Sequence, residues 1–143
     1  MGRNSVHVES NLDKIRNDLF GSIEQRISRA TLHLHGKLII KLSGSRSGRW
    51  YKLPHSRKGK MKGQKWQASA SGQAPAVRYG DLRTSYEFKV TGSGADTVGV
   101  VGSPLEYAVW LEKGTRRMGK RPHLRKTYNE EKKEMTTFFR NLL

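Results

Sequence analysis

The sequence contains no cysteine among its 143 residues, which excludes a disulfide framework and a thiolate metal site. Acidic residues are scarce: 12 Asp and Glu stand against 28 Lys and Arg, and the formal net charge is +16. Apolar residues make up 34% of the chain, which is low for a compact globule. No stretch approaches the roughly 18 apolar residues of a membrane span, and the first residues lack the apolar run of a signal peptide. We therefore expect no membrane contact and synthesis in a cytoplasm.

The basic excess attracts polyanions and makes copies of the chain repel one another at low salt. A solvated basic surface and a nucleic-acid environment both account for it. The chain has room for one domain with a modest core. Because the apolar fraction is low, we expect part of the chain to form an arm or to become ordered against a partner.

Apolar residues recur every three or four positions in the first forty residues, which predicts a long amphipathic helix. Residues 10–13 supply a start signal, with a capping side chain and an acidic residue in the first turn. The helix is either one long spine or breaks near Gly36, since residues 38–40 are also compatible with a strand. We interpret the apolar stripe as core. It consists of Leu12, Ile15, Leu19, Ile23, Ile27, Ala30, Leu34 and Leu38.

The middle of the chain, residues 43–80, lacks helical periodicity and is rich in Gly, Ser, Lys and Arg. No acidic residue lies between Glu24 and Asp81. Structureless loops of this length are uncommon inside compact domains. We expect strand-like pieces at residues 49–53 and 65–68 to pair as a hairpin, or else the segment is a flexible arm.

The tip of that hairpin, residues 57–63, is strongly basic. Charge mixed with the aromatic rings of Trp50, Tyr51 and Trp66 is typical of single-stranded nucleic-acid platforms. The loop is therefore predicted to face DNA, to face an acidic partner, or to be solvated surface. Its basic residues are Arg57, Lys58, Lys60, Lys62 and Lys65.

The residues after position 80 predict a helical turn at 81–85 and an antiparallel hairpin with strands at 86–90 and 97–101. A short helix is expected from Pro104, and Gly114 is placed to end it in the left-handed conformation.

Pro122 suits the first turn of a final amphipathic helix. The apolar stripe of that helix comprises Leu124, Tyr128, Met135, Phe138 or Phe139, and Leu142. The order of elements predicts a single α+β domain over residues 1–143. It has a long N-terminal helix, antiparallel hairpins that form a small sheet, a short helix and a C-terminal helix.

No motif in the sequence predicts catalysis or a cofactor. It contains neither a G-x-S-x-G elbow nor a Gly-rich phosphate loop with its Lys. His33 and His35 lie about 200° apart on a helix and cannot share a metal ion there, whereas on a strand they could. Glu106 and Glu112 have basic neighbours, and we interpret them as ion-paired surface. We expect a protein that is not an enzyme, with no metal and no cofactor.

A second basic cluster surrounds the start of the final helix. A helix N-terminus carries partial positive charge, so each exposed cation there costs about 0.3–1 kcal/mol. We therefore predict an anionic partner, either acidic side chains of a neighbouring subunit or phosphates. The cluster consists of Arg116, Arg117, Lys120, Arg121, Arg125 and Lys126.

Residues 101–115, VGSPLEYAVWLEKGT, followed by RPHL at 121–124, resemble a family of phage neck proteins. These are head–tail connector or tail-completion proteins of lambda-like long-tailed bacteriophages. Residues 68–76 resemble the Pro-Gly-rich stretch of the family, and residues 80–85 resemble its Thr-Gly-x-Leu-x-x-Ser turn. The resemblance covers roughly residues 65–130, in the order of the family.

Three positions depart from the family pattern. His123 stands where an aromatic residue is commoner, Tyr79 where Thr is expected, and Gln73 where Glu is usual after Gly72. None removes a catalytic group, because the family has none. They bear on which neighbour this chain contacts.

The resemblance implies a structural virion protein in a ring between portal complex and tail tube, which joins the DNA-filled head to the tail. Implied partners are further copies, six or alternatively twelve, other neck and tail proteins, and genomic DNA in non-specific contact. The implied location is the virion neck, and the host cytoplasm during assembly. The predicted subunit or neck-partner interface consists of Tyr107, Ala108, Glu112, Gly114, Thr115, Arg116, Arg117, Arg121 and Pro122.

Three other functions remain open from the sequence. The first is a nucleic-acid-binding basic protein, which only the charge supports. The second is a toxin-like nuclease, for which no acid–base pair is identifiable. The third is a tail terminator or head-side stopper of the same neck, built on the same α+β plan.

Overall fold

Helix α1 (Glu9–Ser43) is the longest element of the computed structural model, which describes residues 9–53 and 64–140. Its 35 residues extend over about 50 Å. The helix continues through Gly36, so neither the predicted break nor the strand alternative holds. Leu38 and Leu42 are buried one turn apart while Ile40 is 68% exposed. A strand would place all three on one face, and the burial therefore follows the helical period.

The interpretation of the α1 stripe as core is correct only for its C-terminal part. Leu38 is fully buried, whereas Ile15 is 62% and Leu19 is 43% exposed. The helix already includes Glu9, so the start signal predicted at residues 10–13 lies inside α1, and the side chain of Leu12 lies outside the described residues. The stripe thus reaches the core at one end and solvent at the other.

Strands β1 (Trp50–Lys52) and β2 (Lys65–Gln67) pair antiparallel, with Tyr51 opposite Trp66, and the predicted pairing is confirmed. The predicted tip lies in residues 54–63, outside the described part of the chain.

Hydrogen bonds connect the segment after β2 to the rest of the protein. The Arg46 guanidinium donates twice to the Pro75 carbonyl, at 3.1 and 2.9 Å. The Gln73 amide donates to the Ser47 hydroxyl at 2.8 Å. Further along, the Gly72 N–H donates to the carbonyl of Lys120 at 2.9 Å. Ala74 and Pro75 within the segment are buried, so burial adds to these bonds.

A second antiparallel hairpin packs against α1. Its elements are the turn α2 (Asp81–Ser85), strand β3 (Glu87–Thr91), a 3₁₀ turn (Gly94–Asp96) and strand β4 (Val98–Gly102). Gly99 lies so close to α1 that a Cβ there would overlap the Thr31 hydroxyl. The Gly94 N–H donates to Glu24 at 2.7 Å. Glycine at these positions lets strand and helix backbones approach closely.

Two helices complete the chain, α3 (Glu106–Lys113) and α4 (Leu124–Thr137). Helix α3 begins two residues after Pro104, later than predicted. Helix α4 has His123 as its N-cap, so Pro122 precedes the helix and does not occupy its first turn.

The core lies where the C-terminal part of α1 meets the second hairpin and the start of α4. Leu38, Leu42 and Tyr86 are buried there. The partly buried residues packed against them are Ile39, Leu82, Val101 and Leu124. The predicted α+β class and order of elements are confirmed. Within the described residues, no helix combines the length and apolarity needed to cross a bilayer.

Candidate subunit and partner interface

Helix α3 carries the most distinctive residues of the predicted interface. Ala108 is buried within the chain, whereas Tyr107 is 37%, Val109 52% and Trp110 54% exposed. Ala108 therefore packs inside the protein and contacts no partner directly. The three exposed apolar residues lie on the opposite side of the helix, which they share with the exposed side chains of Glu106 and Lys113.

Glu112, at the end of α3, caps the start of α4. One carboxylate oxygen accepts the backbone N–H groups of His123 and Leu124, at 2.9 and 3.1 Å. The other accepts the N–H of Arg125 at 3.0 Å. The first N–H groups of a helix lack intrahelical partners and attract negative charge, so this carboxylate stabilises α4. Its interpretation as ion-paired surface missed this role.

His123 connects the cap to the core. It is fully buried, and its Nδ1 lies 2.9 Å from a Glu112 oxygen and 2.9 Å from the Arg121 carbonyl. Its Nε2 lies 2.6 Å from the Tyr86 hydroxyl. Both neighbours of Nδ1 are acceptors, so Nδ1 carries the proton and Nε2 accepts the tyrosine O–H.

The hydroxyl of Tyr86 stays protonated over the physiological range. Burial, together with the charge of Glu112 and the neighbouring Tyr107, raises the pKa of Tyr86 to about 12. Tyr86 and His123 are both buried, and the hydrogen-bonded series Glu112–His123–Tyr86 joins α3, α4 and the second hairpin.

The chain leaves α3 through Gly114, which has φ 78° and ψ 172°. The positive φ was predicted, but ψ is extended, so the residue is not in the left-handed helical region. This backbone region is essentially restricted to glycine. The Gly114 N–H donates to the Trp110 carbonyl at 2.8 Å, and Thr115 and Met118 then form a tight turn.

The structure brings the second basic cluster together around that turn and the first turn of α4. Its exposed members are Arg116, Arg117, Lys120, Arg125 and Lys126. Arg121 is half-buried, and its Nη2 donates to the Ser69 carbonyl at 3.3 Å. The carboxylate of Glu112 partly offsets the cost of cations at a helix N-terminus. The predicted anionic partner stays a prediction.

A groove of about 480 Å³ opens beside α3. Apolar and aromatic side chains line much of it, including Trp66, Tyr79, Tyr107 and Leu111. The guanidinium of Arg78 lies over the rings of Trp66 and Tyr79, at 5.7 and 5.1 Å from their centroids. Sequence reasoning missed this groove, because its walls come from segments between residues 42 and 121.

The first hairpin presents aromatic and basic side chains together. Tyr51 and Trp66 stack with centroids 5.5 Å apart, and the Arg49 guanidinium lies 5.8 Å above Tyr51. Lys65 is exposed on β2 opposite Lys52. The other four residues of the predicted basic loop, Arg57, Lys58, Lys60 and Lys62, lie outside the described residues.

The two histidines of the H-x-H pair have separate partners on α1. His33 bonds to Glu131 at 2.9 Å, while His35 bonds to the Tyr86 carbonyl at 3.0 Å. His33, Glu131 and Glu134 place three potential ligand atoms within 4.8 Å of one another. Lys37 Nζ lies 3.2 Å from Glu131 and supplies positive charge there.

The hydrogen bond from His33, with a further contribution from Lys37, lowers the pKa of Glu131. A second ion pair, Lys41 with Glu130, joins the same two helices. The arrangement clamps α4 to α1.

In comparisons with known proteins, no family model, no curated protein and no solved structure matches this chain.

Proposed function

We propose that this protein is a non-enzymatic ring subunit of a phage neck, which joins the DNA-filled head to the tail. The observation that carries the proposal is the group of exposed large apolar side chains on α3, in the segment that resembles neck proteins. Tyr107, Val109 and Trp110 are exposed there beside a small core. Exposed apolar surface of this kind marks protein contacts.

A ring subunit needs surfaces that only neighbours complete. The low apolar fraction, the exposed end of the α1 stripe and the solvent-facing Val98 and Val100 of β4 agree with this. Tryptophan is enriched among the residues that dominate binding energy at interfaces. We therefore assign Trp110 to the centre of the contact.

The first test is light scattering at micromolar concentration, with and without neck and tail proteins. We expect six subunits, with twelve as the alternative. Replacing Trp110 with Gln should raise the dissociation constant of self-association about 30-fold, because a Trp at the centre of an interface contributes about 2 kcal/mol to the binding free energy. Trp50→Gln is the matched control, since Trp50 is 60% exposed on β1 away from α3.

Two outcomes would contradict the proposed ring. One is a monomer under every condition, and the other is equal loss of assembly in the two Trp variants. Deletion of the gene gives the functional test: filled heads and separate tails are expected under the electron microscope. Normal infectious particles would exclude a neck role.

A nucleic-acid-binding protein is the second candidate, and the first hairpin favours it. Stacked aromatic rings flanked by Arg49, Lys52 and Lys65 are the components of a base-stacking platform. Salt-sensitive duplex or single-strand binding by a stable monomer would support this function over the ring.

A further inference from the structure

The groove beside α3 combines an apolar lining with an excess of positive charge. Among the described residues that line it are three guanidinium groups, Arg78, Arg83 and Arg121, and one carboxylate, Asp81. Its volume, about 480 Å³, is that of a site for one or two large side chains. An anionic group with an apolar neighbour matches this lining.

Arg121 adds a polar atom whose bonding is incomplete. Its Nη2 donates to Ser69 at 3.3 Å, but its Nε is buried and has no hydrogen-bond partner among the described residues. Buried donors in proteins are nearly always paired. Nε itself is closed to a ligand, so an anion in the groove would contact the outer nitrogens of this guanidinium. A carboxylate suits them, because it accepts two parallel hydrogen bonds from one guanidinium.

We propose that the groove binds an acidic–apolar peptide segment, with a carboxylate beside an aromatic or leucine side chain, presented by a different protein. A second copy of this chain is a poor source, because its 12 acidic residues are outnumbered by 28 basic ones. Of those acidic residues, Glu112 and Glu131 are already bonded within the chain.

Nucleic acid fits the groove less well than a peptide. The charge of a nucleotide lies on its backbone, outside any pocket that the base enters. A short Asp or Glu side chain carries its charge at the tip and can reach Arg121 while its neighbour packs on Tyr107 or Leu111.

The identity of the partner as another neck or tail protein rests on the proposed function, whereas the binding itself does not. The full-length protein is therefore tested alone on an array of random heptapeptides. We expect enrichment of peptides with Asp or Glu next to Trp, Phe or Leu. The strongest peptide is then titrated by fluorescence anisotropy, beside its amide analogue, in which Gln and Asn replace Glu and Asp.

The amide analogue should bind at least about tenfold more weakly, since charge-assisted hydrogen bonds are lost. Arg78→Gln should weaken the acidic peptide about fivefold. Arg121→Gln should weaken binding of the acidic peptide further, and the melting temperature of this variant is measured to check that it is folded. Arg49→Gln is the matched control, because Arg49 also lies over a tyrosine ring but outside the groove.

Three outcomes would overturn the site: no enriched peptide, equal binding of the amide analogue, or equal weakening by Arg49→Gln. Competition by an unlabelled oligonucleotide of equal charge would assign the groove to nucleic acid instead. None of these outcomes affects the ring, since light scattering and particle assembly measure it separately.

Discussion

At the residue scale, His123 combines packing with hydrogen bonding. The imidazole packs edge-on against Tyr86, with ring centroids 5.6 Å apart, and it also bonds to the Tyr86 hydroxyl and to Glu112. Three elements thereby become coupled through one buried side chain.

Replacing Tyr86 with Phe should lower the free energy of unfolding by about 1–3 kcal/mol, because it leaves the buried Nε2 of His123 without a donor. Tyr128→Phe is the control, since Tyr128 is 44% exposed and should change stability little. Urea denaturation of the three proteins measures the difference. Equal stability of Tyr86→Phe and wild type would mean that His123 finds another partner or that the bond contributes nothing.

At the element scale, the junction from α3 to α4 depends on Gly114 and Glu112 together. Gly114 sets the direction in which the chain leaves α3, and the basic turn then returns so that Glu112 reaches the first N–H groups of α4. Three of the nine residues of the predicted interface lie on α3, and the other six lie on the segment between α3 and α4.

Replacing Gly114 with Ala should lower the free energy of unfolding by about 1–3 kcal/mol, because an L side chain is strained at this backbone conformation. The new Cβ would also lie only 3.0 Å from the Met118 carbonyl oxygen. Gly102→Ala is the matched control, since a Cβ there meets nothing within 4 Å. Thermal melting compares them, and equal melting temperatures would show that the turn adapts at no cost.

The sequence predicted the helices and strands more reliably than it predicted which of their residues are buried and what they contact. Strand alternation at residues 86–90 and the position of Gly114 placed the second hairpin and the end of α3 within a residue or two. The α1 stripe predicted a helix but not which part would be covered, because coverage depends on contacts with distant segments. The roles of Glu112 and Arg121 were missed for the same reason: their partners are set by the fold.

At the scale of the whole molecule, net charge and exposed apolar surface act in opposite directions. A charge of +16 makes copies repel, while apolar side chains such as Trp110 and Val109 favour association. Salt screens the repulsion and leaves apolar contact largely intact. Salt also weakens contacts with phosphates. The two candidate functions therefore have opposite responses to ionic strength.

Raising the salt from about 0.05 to 0.5 M should strengthen self-association if the protein is a ring subunit, and weaken DNA binding if it is a nucleic-acid-binding protein. Light scattering and anisotropy with a duplex oligonucleotide measure the two responses.

A triple variant tests the basic loop: Gln replaces Lys58, Lys60 and Lys62. If they contact phosphates, the salt slope of DNA binding should fall by about one unit per residue.

A matched control replaces Lys89, Lys132 and Lys133, which are exposed on β3 and α4. If the loop contacts protein, DNA affinity should hardly change while assembly weakens. A loop variant that matches wild type in both assays would show that the basic loop is solvated surface.

The length of α1 has a mechanical consequence. The second hairpin holds α1 as far along as Glu24, whose carboxylate accepts the Gly94 N–H, while Ile15 and Leu19 before it are exposed. About 15 Å of helix, residues 9–19, therefore extends past this contact and is a short lever whose fulcrum lies at the second hairpin. A force applied by a neighbour near Ile15 would exert a torque on that junction. Small displacements there would become larger ones at the far end, in proportion to the length of the arm.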